Sequence, residues 1–115
     1  MMKFIRLYTG NDGQSHFEEL SLESSDSPYG RITSPLNVEH VMFGETEAEE
    51  ISWHNPPVPQ YVIMLKGEME IEVGDGSKKV FYEGDILLAE DTTGQGHMTR
   101  TPNVGAKKYM VITKK

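Results

Sequence analysis

The segment from His54 to His97 constrains this chain more than any other. Tyr61 to Lys66 is apolar at every position but the last, which is the pattern of a strand buried on both faces. Glu68-Met69-Glu70-Ile71-Glu72-Val73 then alternates strictly, so Met69, Ile71 and Val73 are expected to face inward and the glutamates to face water. Gly74-Asp75-Gly76 closes a hairpin onto Lys78 to Tyr82, where the lysines can pair with the Glu row. Glu83-Gly84-Asp85 is a second turn, and Ile86 to Ala89 is a further buried run. Across such strands His54, Gln60 and the distant His97 can meet only if a sheet curls back on itself. A small β-barrel does this, and it builds a polar pocket inside an apolar wall.

The remaining sequence reads in the same way. Strands are expected at Lys3 to Thr9, Ser15 to Leu20, Leu36 to Glu45, Ala48 to Trp53, His97 to Thr101 and Lys108 to Thr113. Gly10-Asn11-Asp12-Gly13 is a turn by composition. Ser21 to Pro35, rich in Ser, Asp, Gly and Pro, reads as a surface loop. Asn55-Pro56-Pro57-Val58-Pro59 cannot be a central strand, because proline donates no ladder hydrogen bond, so it belongs at a rim. No stretch sustains a helical period. The expectation is an all-β chain of about ten short strands, arranged as an antiparallel sandwich or barrel.

At 115 residues the chain is read as one domain, with residues 1–35 supplying N-terminal strands and a loop and residues 36–113 the barrel. The net charge is -7, from 18 acids against 11 bases, which argues against nucleic acid as a partner. No basic run favours an anionic membrane surface, and no apolar run approaches a membrane span. Met1 to Gly10 lacks the apolar core and cleavage site of a signal peptide, so a cytoplasmic location is expected. There is no cysteine, hence neither a disulfide framework nor a thiol nucleophile.

These residues resemble the cupin superfamily (RmlC-like) over residues 36–113. At the family's first motif, Ala48 stands at the opening glycine and His54 at the first histidine. Pro56 stands at the second histidine, Gln60 at the glutamate, and Gly67 matches the closing glycine. At the second motif Gly84 matches, Glu90 stands at the proline, Thr92 at the next glycine and Gln95 at the histidine, with a real histidine shortly after, at His97. The whole chain also resembles a group of small bacterial single-domain cupins. That likeness lies in Asp91-Thr92-Thr93-Gly94-Gln95-Gly96-His97, Trp53-His54 and Gly13-Gln14-Ser15-His16-Phe17. The resemblance implies a cupin-type antiparallel β-barrel, that is, a double-stranded β-helix or jelly roll. It implies no particular reaction, because one fold hosts many.

In metal-binding cupins these motif positions hold a divalent metal with three histidines and one glutamate. The resemblance therefore implies a reduced metal site at His54, Gln60 and His97 for Fe, Mn, Ni or Zn, with His54 and His97 also the candidate catalytic residues. His40, on the parity of Leu36, Val38 and Met42, enters the pocket if that face is inward; His16, Glu90 and Asp91 are other candidates to complete the set. Trp53 and Tyr61 are candidate pocket walls, while Asp91 reads as the cap of its turn. Arg100 is expected outside, paired with an acid. If Gln60, Val62 and Met64 face in, then Tyr61, Ile63 and Leu65 face out and need a cover, from which a homodimer is expected, the N-terminal strand possibly exchanged. Two functions compete: an enzyme on a small molecule (isomerase, lyase or dioxygenase type), and a metal-free module that binds or senses a small ligand. A purely structural role ranks third.

Overall fold

A computed structural model describes residues 2–47, 50–102 and 107–115. It contains β1 (Met2–Thr9), β2 (Ser15–Leu22), β3 (Ser24–Ser27), β4 (Gly30–Thr33), β5 (Val38–Thr46) and β6 (Glu50–His54). These are followed by β7 (Gln60–Lys66), β8 (Met69–Glu72), β9 (Lys78–Phe81), β10 (Ile86–Ala89), β11 (His97–Arg100) and β12 (Lys107–Lys114). No helix among the described residues is long and apolar enough to cross a membrane.

Two sheets carry the fold. A six-stranded sheet runs β2-β1-β10-β7-β12-β5, and a four-stranded sheet runs β6-β11-β8-β9. The core is the layer between them. Leu7, Val62, Met64, Leu87, Ala89 and Val111 come from the large sheet, and Met69, Ile71 and Phe81 from the small one, with Val73 just beyond β8. The alternation in β8 works as the sequence implies: Met69 and Ile71 are buried, and Glu70 and Glu72 lie on the opposite face. There the main partner is Arg100, whose guanidinium donates to Glu72 at 2.7 Å, to Glu50 at 3.1 Å and to Glu70 at 3.2 Å. These bonds, that to Glu72 foremost, hold Arg100 above its ordinary pKa. Lys78 reaches Glu72 only at 3.9 Å.

The structure departs from the sequence expectation in four places. Among the described residues there are twelve strands rather than about ten. The segment Ser21 to Pro35 is not a bare loop but contains the β3–β4 hairpin. Ser27 makes its turn, accepting from the Tyr29 amide and donating to the Gly30 carbonyl. β1 pairs with β10 in parallel, so the large sheet is mixed. The sheets face each other as a jelly roll without closing into a continuous hydrogen-bonded barrel. Ala48, the expected start of a strand and of the first motif, lies outside the described residues.

The outer face of β7 has its expected apolar row. Phe4 of β1 packs edge-on against Tyr61 with ring centroids 6.1 Å apart, and Leu88 completes that cluster. Leu20, Leu22, Ile63, Ile86 and Ile112 surround it. The N-terminal strand thus covers part of the row, within its own chain. A groove of about 370 Å³ remains between Tyr61, Ile63 and Ile112 on one side and Pro35, Leu36 and Val41 on the other.

Candidate functional site

Between the two sheets lies a pocket of about 170 Å³. Its polar lining is His54, Asn55, Gln60, His97, Thr99, Lys107 and Tyr109. Val62, Met69, Ile71 and Leu87 supply apolar wall.

Strand register brings the two histidines together. β11 pairs with β6 so that His97 stands opposite His54, and their ring centroids are 4.5 Å apart. A register shift follows directly after His97, a bulge that lets both His54 and Ile51 line the pocket although their spacing gives them opposite parity. Gly96 makes the close approach possible. It has φ +77°, and a Cβ there would collide with the His54 carbonyl. The loop before it is tied down: the Asn55 amide donates to the carbonyls of Asp91 at 2.9 Å, Thr93 at 3.0 Å and Gly94 at 3.3 Å.

That loop aims Asp91 inward. Its Oδ2 lies 2.6 Å from His97 Nδ1 and accepts from Ser15 Oγ at 2.6 Å. The Asp91 side chain is 0% exposed and that of His97 5%. An ionised carboxylate only accepts, so Nδ1 of His97 is the donor, and in the neutral ring Nε2 holds the lone pair. The same logic applies to His54, whose Nδ1 lies 2.7 Å from the Ser52 carbonyl. Both imidazoles are therefore fixed through Nδ1 and present Nε2 as a base or ligand atom.

Gln60 enters from the first position of β7, on the inner parity of Val62. Lys107 enters from β12 and is buried, with Nζ 5.2 Å from the Tyr109 ring centroid. Gly44 on β5 leaves room for that ring, since a Cβ there would overlap it. Among the described residues, no Asp or Glu lines the pocket.

Other residues expected at the site lie elsewhere. Tyr61 points to the opposite face of the large sheet, in the cluster with Phe4. Trp53 is 38% exposed and does not line the pocket, because its neighbour His54 takes the inward position. His40 does not enter: its side chain is 69% exposed beside Glu39. A register shift between Ile112 and Lys114 interrupts the β5–β12 ladder around it. His16 is a surface residue paired with Asp12 at 2.9 Å. Asp91 does more than cap its turn, since it buries its carboxylate against His97. Sequence reasoning also missed Ser15 and Lys107. The signal for Lys107 was present, since it shares parity with Tyr109 and Val111, but the strand was expected to begin one residue later.

The lining can be tested against a divalent metal. It offers two imidazoles and two neutral amides, Asn55 and Gln60, Pro56 adds no donor, and no cluster of three or more His, Cys, Asp or Glu forms among the described residues. The Lys107 ammonium shares the space. With no carboxylate among the described lining residues to compensate two positive charges, this donor set does not fit a tightly held divalent ion. A more open depression of about 680 Å³, near Phe4, Lys78 and Tyr82, contains no histidine.

Solved structures with the same architecture include an RmlC-like cupin family protein with a double-stranded β-helix fold from Methanocaldococcus jannaschii. It is 21% identical, with 69% of this chain and 73% of that one covered, at a TM-score of 0.52. A Salmonella typhimurium protein described as ethanolamine utilization protein Q aligns over 99% of this chain and 96% of its own, at 13% identity and a TM-score of 0.54. A Neisseria meningitidis protein is 17% identical over 70% of this chain and 79% of its own, with a TM-score of 0.52. No protein-family model matches the chain, and no curated protein is significantly similar to it. The chain has the cupin fold, a double-stranded β-helix. At these identities the likeness defines the fold alone, and its chemistry must be argued from the pocket.

Proposed function

We propose that the pocket is the active site of an enzyme that moves a proton on a small molecule, as an isomerase or lyase does. His97 is the acid–base group, Asp91 orients it, and His54 is the second imidazole. The observation that carries this reading is the buried 2.6 Å contact between Asp91 and His97. A carboxylate behind an imidazole fixes the tautomer and stabilises the imidazolium that forms when Nε2 takes a proton. The proton then returns from Nε2 to a neighbouring atom of the substrate, or to the leaving group. Apolar wall around the site limits competition from water.

The experiment has two arms. Elemental analysis of tag-free protein, purified without chelator, is expected to find far less than one metal per chain. Stoichiometric Fe, Mn, Ni or Zn, lost in both His54→Ala and His97→Ala, would replace this reading with a metal centre. Proton NMR in D2O is then used to follow hydrogen exchange next to the carbonyl of a panel of small oxo and hydroxy acids. Exchange is expected with wild type, slowed by about 10²-fold or more in His97→Gln. A folded wild type that binds panel members without exchanging them is a ligand-binding module instead.

A further inference from the structure

We infer that the pocket takes a small α-hydroxy carbonyl compound, with the His54 imidazole as the acceptor for its hydroxyl. The chemical step rests on the proton-transfer reading; recognition of the hydroxyl by His54 does not.

The two tautomers are the first ground. A carbonyl oxygen only accepts, so the 2.7 Å contact with Ser52 fixes Nδ1 of His54 as N–H. The buried Asp91 carboxylate does the same for His97 at 2.6 Å. Each neutral ring therefore offers an Nε2 lone pair to the cavity, and neither Nε2 has a hydrogen-bond partner among the described residues. The His97 side chain is 5% exposed, so its lone pair has to be met by a ligand or by water inside the pocket. The ring centroids are 4.5 Å apart and the rings are inclined at 59° rather than stacked. At that spacing the two acceptors serve neighbouring atoms of one short ligand.

The rings are not equivalent, which is the second ground. A carboxylate stands behind His97 and balances the charge of an imidazolium, so this ring suits removal of a C–H proton. A neutral carbonyl stands behind His54, which suits a hydroxyl proton. A carbon acid beside a hydroxyl is an α-hydroxy aldehyde or ketone. His97 Nε2 takes the proton from the carbon that bears the hydroxyl. The C–H electron pair forms a C=C bond, and the carbonyl π pair moves onto its oxygen to give an enediolate. Gln60 from β7 and Thr99 from β11 line the same cavity as donors for that oxygen. His54 carries the hydroxyl proton to the enediolate oxygen, and His97 returns its proton to the former carbonyl carbon. The carbonyl has then moved by one carbon, and no other reactant is consumed.

Size narrows the class. A volume of about 170 Å³ admits a molecule of roughly three or four carbons, not a nucleotide or a sugar phosphate.

The test is NMR titration at about pH 8, where free imidazole is neutral, with hydroxyacetone, butanone and methoxyacetone. Butanone replaces the hydroxyl with a methyl of similar size, and methoxyacetone keeps the oxygen but loses its hydrogen. The proteins are wild type, His54→Phe, His54→Gln and His97→Gln, each checked for a folded amide spectrum. Hydroxyacetone is expected to bind wild type saturably and to shift the Nε2 signals of both rings. The other two ketones should bind about tenfold more weakly or not at all. His54→Phe should abolish that preference, while His54→Gln, which keeps an acceptor, and His97→Gln should retain most of it. In D2O, wild type should exchange the hydroxymethyl hydrogens of hydroxyacetone, and His97→Gln should do so about 10²-fold more slowly. Selective binding without exchange would remove the proton-transfer reading and leave recognition by His54 standing. Exchange on simple oxo acids with no preference for the hydroxyl would do the reverse. No saturable binding of hydroxyacetone to wild type, equal binding of the three ketones, or an undiminished preference in folded His54→Phe would overturn the inference.

Discussion

Asp91 holds His97 from behind, with 2.6 Å between Oδ2 and Nδ1, and the same oxygen accepts from Ser15 at 2.6 Å. Its other oxygen, Oδ1, is buried and has no hydrogen-bond partner among the described residues. Removing the carboxylate strands two buried donors, each costing about 1–3 kcal/mol. Asp91→Ala is therefore expected to lower stability by about 2–4 kcal/mol, read from urea unfolding. Asp91→Asn keeps the volume but brings an NH2 that finds at most one acceptor. In ¹⁵N–¹H spectra of the ring, wild type should show protonated Nδ1 at His97. Asp91→Asn should show a mixture or the Nε2–H form, and an unchanged ring would mean that the carboxylate does not set the tautomer.

Gly96 brings the two histidine strands together, and two penalties meet there. Its φ is +77°, and a Cβ would run into the His54 backbone, which cannot move aside as a flexible side chain would. Gly96→Ala is expected to cost more than about 2 kcal/mol and to separate the His54 and His97 rings. Gly76→Ala is the control, since it has φ +88° with nothing nearby to collide with, so it should cost only about 1 kcal/mol. Equal thermal shifts for the two variants would show that the contact with His54 does not matter.

Glu90 joins three strands at the end of β10. It accepts from Arg6 of β1 at 2.7 Å and from Lys114 of β12 at 2.8 Å. Burial pushes its carboxyl up, but the hydrogen bonds and charges of Lys114 and Arg6 more than offset this and hold it below the ordinary 4.5. A carboxyl depressed on folding contributes stability above its unfolded pKa and loses it as pH falls through the folded one. Unfolding free energy should thus drop below about pH 4.5, and Glu90→Gln should flatten part of that drop. At neutral pH the substitution should cost about 1 kcal/mol, since both basic partners are roughly a third exposed. Identical pH profiles for wild type and variant would sink this assignment.

Period-two patterning makes most of the fold legible in the sequence. The alternation through Met69 and Ile71 and the Gly74–Gly76 hairpin lie where the pattern puts them, while β7 is covered on both faces only as far as Met64, since Leu65 is 49% exposed. His54, Gln60 and His97 line one pocket, as the curled sheet implies. What stayed hidden depends on long-range pairing. Nothing local says that Ser15 and Asp91, 76 residues apart, share a hydrogen bond. Lys107 was lost to a one-residue error in a strand boundary, the least certain part of a pattern reading. His40 was misplaced because a register break in the ladder with β12 cannot be seen in the pattern of β5 alone.

The exposed edge of the large sheet carries the last prediction. β5 ends the strand order, and Phe43 is 75% exposed, Val41 52% and Met42 49%. It has no proline or lysine, the residues that commonly guard an edge against pairing. The apolar groove beside it, bounded by Val41, Tyr61 and Ile112, continues the same surface. We propose that a second copy of this chain covers it, since a two-fold contact can pair the edge with itself while joining the grooves. β1 need not be exchanged, because it lies between β2 and β10 of its own chain. Light scattering after size exclusion should then give twice the 13.0 kDa chain mass. Phe43→Asp and Val41→Asp should shift it toward the monomer with little change in melting temperature, because both side chains are solvent-facing in the single chain. A wild-type species at 13.0 kDa across the micromolar range would end the proposal.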